Sequence, residues 1–184
     1  IRICLVGSEM CIRDRYPSGV SEIVRFGLLG FAMSRYSGCW VGLKIVSDVA
    51  DSGRTYDTSI ENEEIIVPSG AFLGEYKDLP RNILFSDTPR EQDFRLQRAK
   101  GFAAQEFVRA NQIDKVIWKN NNAKLGIISA GKSYNDVLEA FRWLGIDEEK
   151  AKSMGIALYK VGMPWPLEPQ GIREFCRGLD TVLV

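Results

Sequence analysis

The last third of the chain alternates short apolar runs with helical patterns, and this alternation limits the possible fold more than any other feature. Apolar runs at Lys115–Trp118, Leu125–Ser129 and Ile156–Met163 predict strands, and the closing letters TVLV predict the start of another. Ser133 is predicted to cap the helix after the second run, and Pro169 to open a later helix. Strands and helices that alternate at this spacing favour an α/β domain with a parallel sheet.

Two of these strands are close together in the sequence. The polar stretch Lys119–Lys124 separates Lys115–Trp118 from Leu125–Ser129, so we expect the two to pair as a hairpin.

Upstream, Thr88-Pro89-Arg90-Glu91 combines an N-cap, a proline at the first helical position and a reciprocal glutamate. This motif predicts a long helix to about Asn111, lying across a domain surface.

The N-terminal half is read in three parts. A helix is predicted from Val20, with a buried stripe that includes Leu28 and Phe31, and it breaks near Ser37-Gly38. Cys39–Val49 follows as a strand that is apolar on both faces, which is typical of a strand inside a sheet. Between residues 50 and 86 no period persists, and this stretch is interpreted as a linker.

The first fifteen residues are treated separately. The string CLVGSEMCIRDR resembles a translated sequencing adapter of the kind that contaminates metagenomic assemblies. We therefore exclude residues 1–15 from fold reasoning and expect them to pack against nothing.

Composition excludes several classes of function. The 184 residues include no histidine, the commonest general base and metal ligand, which excludes Ser/His and Cys/His nucleophile pairs. The four cysteines form no CxxC pair, which excludes a zinc or iron-sulfur site built from neighbouring thiols. The formal net charge is zero, which disfavours a nucleic-acid partner. No apolar run approaches the roughly 20 residues that cross a bilayer, and the opening lacks a secretory signal. We expect a cytoplasmic protein without membrane contact.

One motif requires a choice between functions. Residues 126–133, GIISAGKS, match the phosphate-binding pattern GxxxxGK[ST], which is typical of nucleotide hydrolases. However, Ile127 and Ile128 suit a buried strand, and no later strand ends in an acidic residue that would hold magnesium. A milder hypothesis is that Gly131, Lys132 and Ser133, where a strand ends and a helix begins, hold an anion. The alternative is a helix cap and a solvated lysine.

Three stretches resemble the long, fused indolepyruvate ferredoxin oxidoreductases. They are MSRYSGCWVGLKIVSDV from Met33, LGIISAGKSYNDVLEAF from Leu125, and LYKVGMPWPLEPQGIREF from Leu158. The resemblance implies that residues 16–50 end a pyrimidine-binding thiamine diphosphate domain. It further implies that residues 51–87 are a linker and that residues 88–184 form a truncated transketolase C-terminal-like domain.

The resemblance also implies the activity of a parent enzyme. That family decarboxylates aryl 2-oxoacids oxidatively to acyl-CoA, with thiamine diphosphate, magnesium and 4Fe-4S clusters, and passes electrons to ferredoxin. We expect this chain to be a fragment without catalytic residues and without a bound cofactor. Its role would be structural or docking, beside the remaining parent domains in a homodimer, with Gly131, Lys132 and Ser133 as a contact for CoA. The alternatives are a P-loop-like nucleotide-binding protein and a free-standing α/β binding module.

Overall fold

The computed structural model describes residues 12–184. In chain order its elements are β1 (Ile12–Arg15), α1 (Val20–Ser37), β2 (Trp40–Leu43), α2 (Ser47–Ala50), two 3-10 segments (Thr58–Asn62 and Ala71–Tyr76), α3 (Pro89–Arg95), a π-helical segment (Leu96–Lys100), α4 (Gly101–Ala110), β3 (Lys115–Trp118), β4 (Leu125–Ala130), α5 (Gly131–Trp143), α6 (Glu148–Ser153), β5 (Ile156–Val161), α7 (Pro169–Cys176) and β6 (Thr181–Leu183).

The N-terminal strands form a small two-stranded sheet. β1 and β2 run parallel, with Ile12 opposite Trp40. The predicted strand over Cys39–Val49 is therefore wrong in length and in position. It ends at Leu43, because the chain turns into the short helix α2, and within residues 12–184 it pairs with β1 alone rather than lying inside a larger sheet. Trp40 is 72% exposed.

Helix α1 begins and ends as its sequence predicts, but it buries a different face. Phe26, Leu29 and Met33 are buried in one core with residues of α4, whereas Leu28 and Phe31 are exposed. The predicted stripe is wrong at these two positions. Apolar residues lie around most of this helix, so the pattern alone does not select the face that packs.

The predicted start of the long helix is confirmed. Thr88 accepts a hydrogen bond from the Glu91 backbone, and the Glu91 side chain accepts one from Thr88. α3, the π-helical segment and α4 run on continuously to Ala110. Phe107 and Val108 are fully buried against α1, whereas Phe94 and Phe102 are exposed, as expected for a helix that lies across a domain surface.

The C-terminal part is a four-stranded sheet in the order β3-β5-β4-β6. β4, β5 and β6 are parallel, which confirms an α/β fold, and β3 is antiparallel to β5. The predicted hairpin is wrong, since β5 lies between β3 and β4. All six residues of β5 are buried, so this apolar strand takes the central position that buries the most surface.

The two faces of this sheet are covered by different helices. α5 and α6 cover a core that includes Trp118, Phe141 and Leu158. α7 covers the opposite face, where Tyr159 and Phe175 pack with ring centroids 5.1 Å apart.

Residues 12–15 contradict the expectation that the first fifteen residues pack against nothing. Arg13 and Arg15 are buried, and the Asp14 amide donates to the Trp165 carbonyl. Residues 1–11 lie outside the described range. The resemblance of CLVGSEMCIRDR to a sequencing adapter concerns the origin of these residues, and it stays a prediction. Among residues 12–184, no helix is long and apolar enough to cross a membrane.

Candidate functional site

The predicted anion site lies at the carboxyl end of β4, where α5 begins. Gly131 is the first residue of α5 and has a φ of 53°, a conformation that glycine adopts without strain. The ring of Tyr16 lies over it, so that a Cβ on Gly131 would be 2.4 Å from the ring carbons. An aromatic ring, rather than open solvent, therefore covers the start of this helix.

Lys132 is already paired with carboxylates. Its ammonium lies 2.9 Å from Oδ1 of Asp136, one helical turn on, and 3.6 Å from Oδ2 of Asp48. The hydrogen bond with Asp136, with a smaller effect of Asp48, raises the pKa of Lys132. A CoA phosphate would have to compete with both carboxylates for this ammonium. The anion contact stays a prediction. An anion bound there would replace Asp136 and Asp48 as the partners of Lys132.

Ser133 is not the helix cap that the sequence predicts. It is exposed on the first turn of α5, and Ala130 occupies the N-cap position without a side-chain hydrogen bond. The positive φ of Gly131 starts the helix without an N-cap side chain. The argument against a nucleotide loop agrees with the structure. Gly126–Ile128 lie within β4, paired with β5.

A buried lysine that sequence reasoning missed lies at the end of β5. Lys160 is 5% exposed, forms an ion pair with Glu22 and donates to the Ser18 hydroxyl at 2.8 Å. Its ammonium also lies 4.3 Å from the centre of the Tyr134 ring. Burial lowers the pKa of Lys160, while Glu22 counteracts this effect. These contacts join α1 to the four-stranded sheet, across the predicted boundary between domains.

Burial alone would raise the pKa of Glu22. The positive charge of Lys160 and the hydrogen bonds from Lys160 and Ser18 outweigh burial and lower this pKa. The two side chains pair with each other and with the Ser18 hydroxyl. Such a pair holds two elements together.

A second polar cluster lies beside the carboxyl end of β5, on the face that α7 covers. Glu168 is 2% exposed, pairs with Arg109 of α4 and accepts from the amides of Gln170 and Gly171 at the start of α7. In the sequence, the position of Glu168 just before Pro169 indicates that it caps a helix.

Asp114, just before β3, completes this cluster. Its Oδ1 accepts from the amides of Gly162 and Met163 at 2.8 and 3.0 Å, and its buried Oδ2 has no hydrogen-bond partner among the described residues. Burial raises the pKa of Asp114 to about 6, although these amide hydrogen bonds act in the opposite direction. The carboxyl ties the ends of β3 and β5 together and titrates close to neutral pH.

A cavity of about 610 Å³ extends from this cluster along β3 and β5, between α4 and α7. Its lining includes Asp114, Tyr159 and Glu168 at one end and Lys119 and Arg177 at the other. The sequence does not predict it, because its walls come from four separate elements. A concave site with an apolar floor and a few polar groups is typical of ligand binding.

The described residues do not fit a cluster or a metal-bound diphosphate. Among residues 12–184, no group of three or more His, Cys, Asp or Glu side chains lies close enough to hold a metal ion. The two cysteines of this range, Cys39 and Cys176, lie on different elements, whereas a 4Fe-4S cluster needs four thiolates. No chemical step is therefore assigned to a cofactor held by this part of the chain.

The match to a known family model covers the four-stranded sheet. Residues 115–184 match the family model described as the indolepyruvate oxidoreductase domain. Indolepyruvate oxidoreductase subunit IorA from Pyrococcus horikoshii is 45% identical over 64 residues, and its namesake from Pyrococcus abyssi is 44% identical over 64 residues. Each alignment covers 34% of this chain and 9% of the relative. The subunit from Thermococcus kodakarensis is 38% identical over 63 residues, with the same coverage.

Proposed function

We propose that this chain, whose residues 115–184 match the indolepyruvate oxidoreductase domain, is part of the large subunit of an enzyme that decarboxylates aryl 2-oxoacids oxidatively. The observation that carries the proposal is the match of residues 115–184 to that domain, together with 45% identity to an IorA subunit over 64 residues. The chain matches 9% of the length of that relative, so the activity belongs to a larger assembly. The resemblance at Leu125 and Leu158 lies within the matched range, and the stretch from Met33 lies outside it.

In this proposal the parent enzyme supplies the chemistry. Other parts of the enzyme, which acts as a homodimer, bind thiamine diphosphate with magnesium and hold the 4Fe-4S clusters. They use CoA as the acyl acceptor and ferredoxin as the electron acceptor. This chain supplies no catalytic residue. The absence of histidine supports this division, because it removes the side chain that most often acts as general base near neutral pH.

An exposed apolar face supports a docking role. Phe31 of α1 and Trp40 of β2 are each 72% exposed, and Ile83 is 64% exposed beside them. Together they border a cavity of about 600 Å³ between α1 and β2. Exposed apolar surface of this kind is typical of an interface, and the remaining domains of the parent chain are the proposed occupant.

A domain exchange tests the proposal. In the Pyrococcus horikoshii subunit, the stretch that matches this chain is replaced by residues 115–184, and the chimera is assembled with its partner subunit. We expect indolepyruvate-dependent dye reduction within about tenfold of the parent, since a packed scaffold tolerates related cores. The 184-residue chain alone is expected to give no turnover.

The control chimera carries Leu158→Arg, which places a charge in the buried centre of the sheet and should abolish assembly. An assembled but inactive chimera contradicts the proposal for the domain. Turnover by the isolated chain contradicts the assignment of all catalytic residues to other parts.

A further inference from the structure

The cavity along β3 and β5 has an acidic inner end, which is lined by Asp114, Tyr159 and Glu168. Glu168 is bound by Arg109 and by two amides, so its charge has a partner within the protein. The Oδ1 atom of Asp114 accepts from two amides, but its buried Oδ2 has no hydrogen-bond partner among the described residues. One carboxylate oxygen at this end is therefore open to a donor.

A second polar group at the inner end also lacks a partner. Tyr159 is 3% exposed, and no residue in the described range forms a hydrogen bond with its hydroxyl. Burial, followed by the charges of Asp114 and Glu168, raises the pKa of Tyr159. The hydroxyl therefore keeps its proton at neutral pH, and its oxygen can accept a hydrogen bond. Because buried tyrosine hydroxyls ordinarily have a partner, this position indicates a place for a ligand.

The first turn of α7 leaves space beside these oxygens. Gly171 lines the cavity, and a Cβ built on it would lie 2.8 Å from the Tyr159 hydroxyl and 2.9 Å from Oε2 of Glu168. Gly171 does not have the positive φ that would itself require glycine, and glycine is unfavourable inside a helix. What the residue provides here is the space that a side chain would fill.

The charges at the inner end favour a cation. Burial raises the pKa of Asp114 to about 6, because a carboxylate removed from water is costly without a cation against it. The charged and titratable groups around Asp114 are Arg15 of β1, Arg109 of α4, Tyr159 of β5 and Glu168. Arg15 acts on Asp114 through its charge but forms no hydrogen bond with it. An ammonium ion beside Oδ2 would make both a hydrogen bond and an ion pair.

The walls beyond the inner end are apolar. They include Val116 of β3, Ala157 of β5, and Phe175 and Leu179 from α7 and the turn after it. Such walls suit a hydrocarbon chain, which is stabilised when it is removed from water. The charged residues in the rest of the lining are exposed to solvent, where their effect on a ligand is screened; they are Lys119, Glu174 and Arg177.

We propose that this cavity binds small primary amines that carry an apolar chain. The ammonium group donates to Oδ2 of Asp114 and to the hydroxyl of Tyr159, in the space beside Gly171. The chain lies against Val116 and Phe175. The ligand thus supplies the positive charge that Asp114 lacks. This site is independent of the oxidative decarboxylation proposed for the parent enzyme.

NMR titration of the 184-residue chain tests the site. The probes are pentylamine and pentan-1-ol, which are similar in size and differ in charge. Pentylamine should cause saturable shifts with a Kd of about 1 mM, an ordinary affinity for a ligand of about six non-hydrogen atoms. The shifted amides should include those of Gly162 and Met163, which donate to Asp114, and that of Gly171, which donates to Glu168. Pentan-1-ol should bind about tenfold more weakly, since it lacks the charge.

Variants assign the binding to residues. Asp114→Asn keeps an oxygen for the two amides but removes the charge, so it should weaken pentylamine binding by about tenfold. Tyr159→Phe should weaken it several-fold. Two controls should leave it unchanged: Asp93→Asn, at an exposed aspartate of α3 outside the cavity, and Glu174→Gln, at the exposed part of the lining. Circular dichroism confirms that each variant is folded.

The affinity should also depend on pH. With the pKa of Asp114 at about 6, about a tenth of this carboxyl is ionised at pH 5 and nearly all of it at pH 8. The protonated carboxyl offers the ammonium no charge, so pentylamine should bind about tenfold more weakly at pH 5 than at pH 8. Asp114→Asn should remove this difference.

Three results would overturn the proposal. They are equal binding of the amine and the alcohol, a loss for Glu174→Gln as large as that for Asp114→Asn, which would place the amine at the exposed part of the lining, and no saturation up to about 10 mM. None of them bears on the domain exchange, which measures turnover by the parent enzyme.

Discussion

On one face of the four-stranded sheet Trp118, Phe141 and Leu158 pack beneath two helices, whereas on the other face the single helix α7 leaves part of β3 uncovered. The rings of Trp118 and Phe141 are 4.8 Å apart, and Leu158 is fully buried. On the opposite face Val116 is 47% exposed and borders the cavity.

The same central strand serves both faces. Alternate residues of β5 point to opposite sides, so Leu158 contributes to the closed face and Tyr159 to the open one. Apolar burial on the closed face stabilises the fold. On the open face, the cavity of about 610 Å³ beside β3 leaves part of the sheet without such packing. The difference shows that one side of the sheet carries most of the packing while the other side borders a cavity.

The largest expected effect is a loss of folding stability from a truncation on the closed face. Leu158→Ala should lower the free energy of unfolding by about 3 kcal/mol, because it leaves a void in a close-packed core. Val116→Ala, the matched truncation on the open face, should cost less than about 1 kcal/mol. Urea unfolding of both variants measures the difference. Equal losses would show that the open face is as well packed as the closed one.

The second effect concerns two lysines near the carboxyl end of the sheet. Lys160→Met should lower the free energy of unfolding by about 2–3 kcal/mol, because it leaves Glu22 without its charge partner in a partly buried site. Lys132→Met should have a clearly smaller effect, since its partners are exposed.

The double variant Lys160→Met with Glu22→Gln serves as the control for the buried pair. It removes both charges and should recover part of the loss. If Lys132→Met is the more damaging variant in urea unfolding, the ranking of the two sites by burial is wrong.

The smallest effect appears as a pH dependence at the end of the cavity. The pKa of Asp114 is raised from an ordinary value of 3.8 to about 6. Between these two values the folded chain holds a proton that the unfolded chain has lost, so stability falls as the pH rises from about 4 to about 6. Full titration of this one group would cost roughly 3 kcal/mol, of which about 2 kcal/mol falls between pH 4 and pH 7.

Asp114→Asn should remove this dependence while its amide oxygen still accepts from Gly162 and Met163. Measured against the parent chain, the variant should gain about 2 kcal/mol in unfolding free energy between pH 4 and pH 7. The gain is a difference between two proteins, so other groups that titrate in both, Glu22 among them, cancel. A constant difference across this range would contradict the raised pKa.

Local signals in the sequence were enough to place most elements. The Thr88 capping box and the Pro169 helix start are both present in the structure, since each depends on contacts within one turn. The same holds for the central strand at Ile156, whose apolar run matches a strand buried on both faces.

Signals that depend on distant partners were misleading. The strand expected over Cys39–Val49 covers only Trp40–Leu43, because the chain then turns into the short helix α2. Gly131, Lys132 and Ser133 match a known pattern, yet Tyr16 and Asp48 decide what surrounds them, and neither is near in sequence.

The sequence by itself determined the α/β class, the start of the long helix, the likeness to indolepyruvate oxidoreductases and the lack of imidazole chemistry. These follow from residue type, from periodicity and from hydrogen bonds within a few residues. Tertiary structure alone decided that β5 lies between β3 and β4, that Lys160 meets Glu22, and that a cavity lies beside Tyr159. Each of these joins residues far apart in the chain, and such contacts form only when burial selects one packing among the many that the same periodic pattern allows.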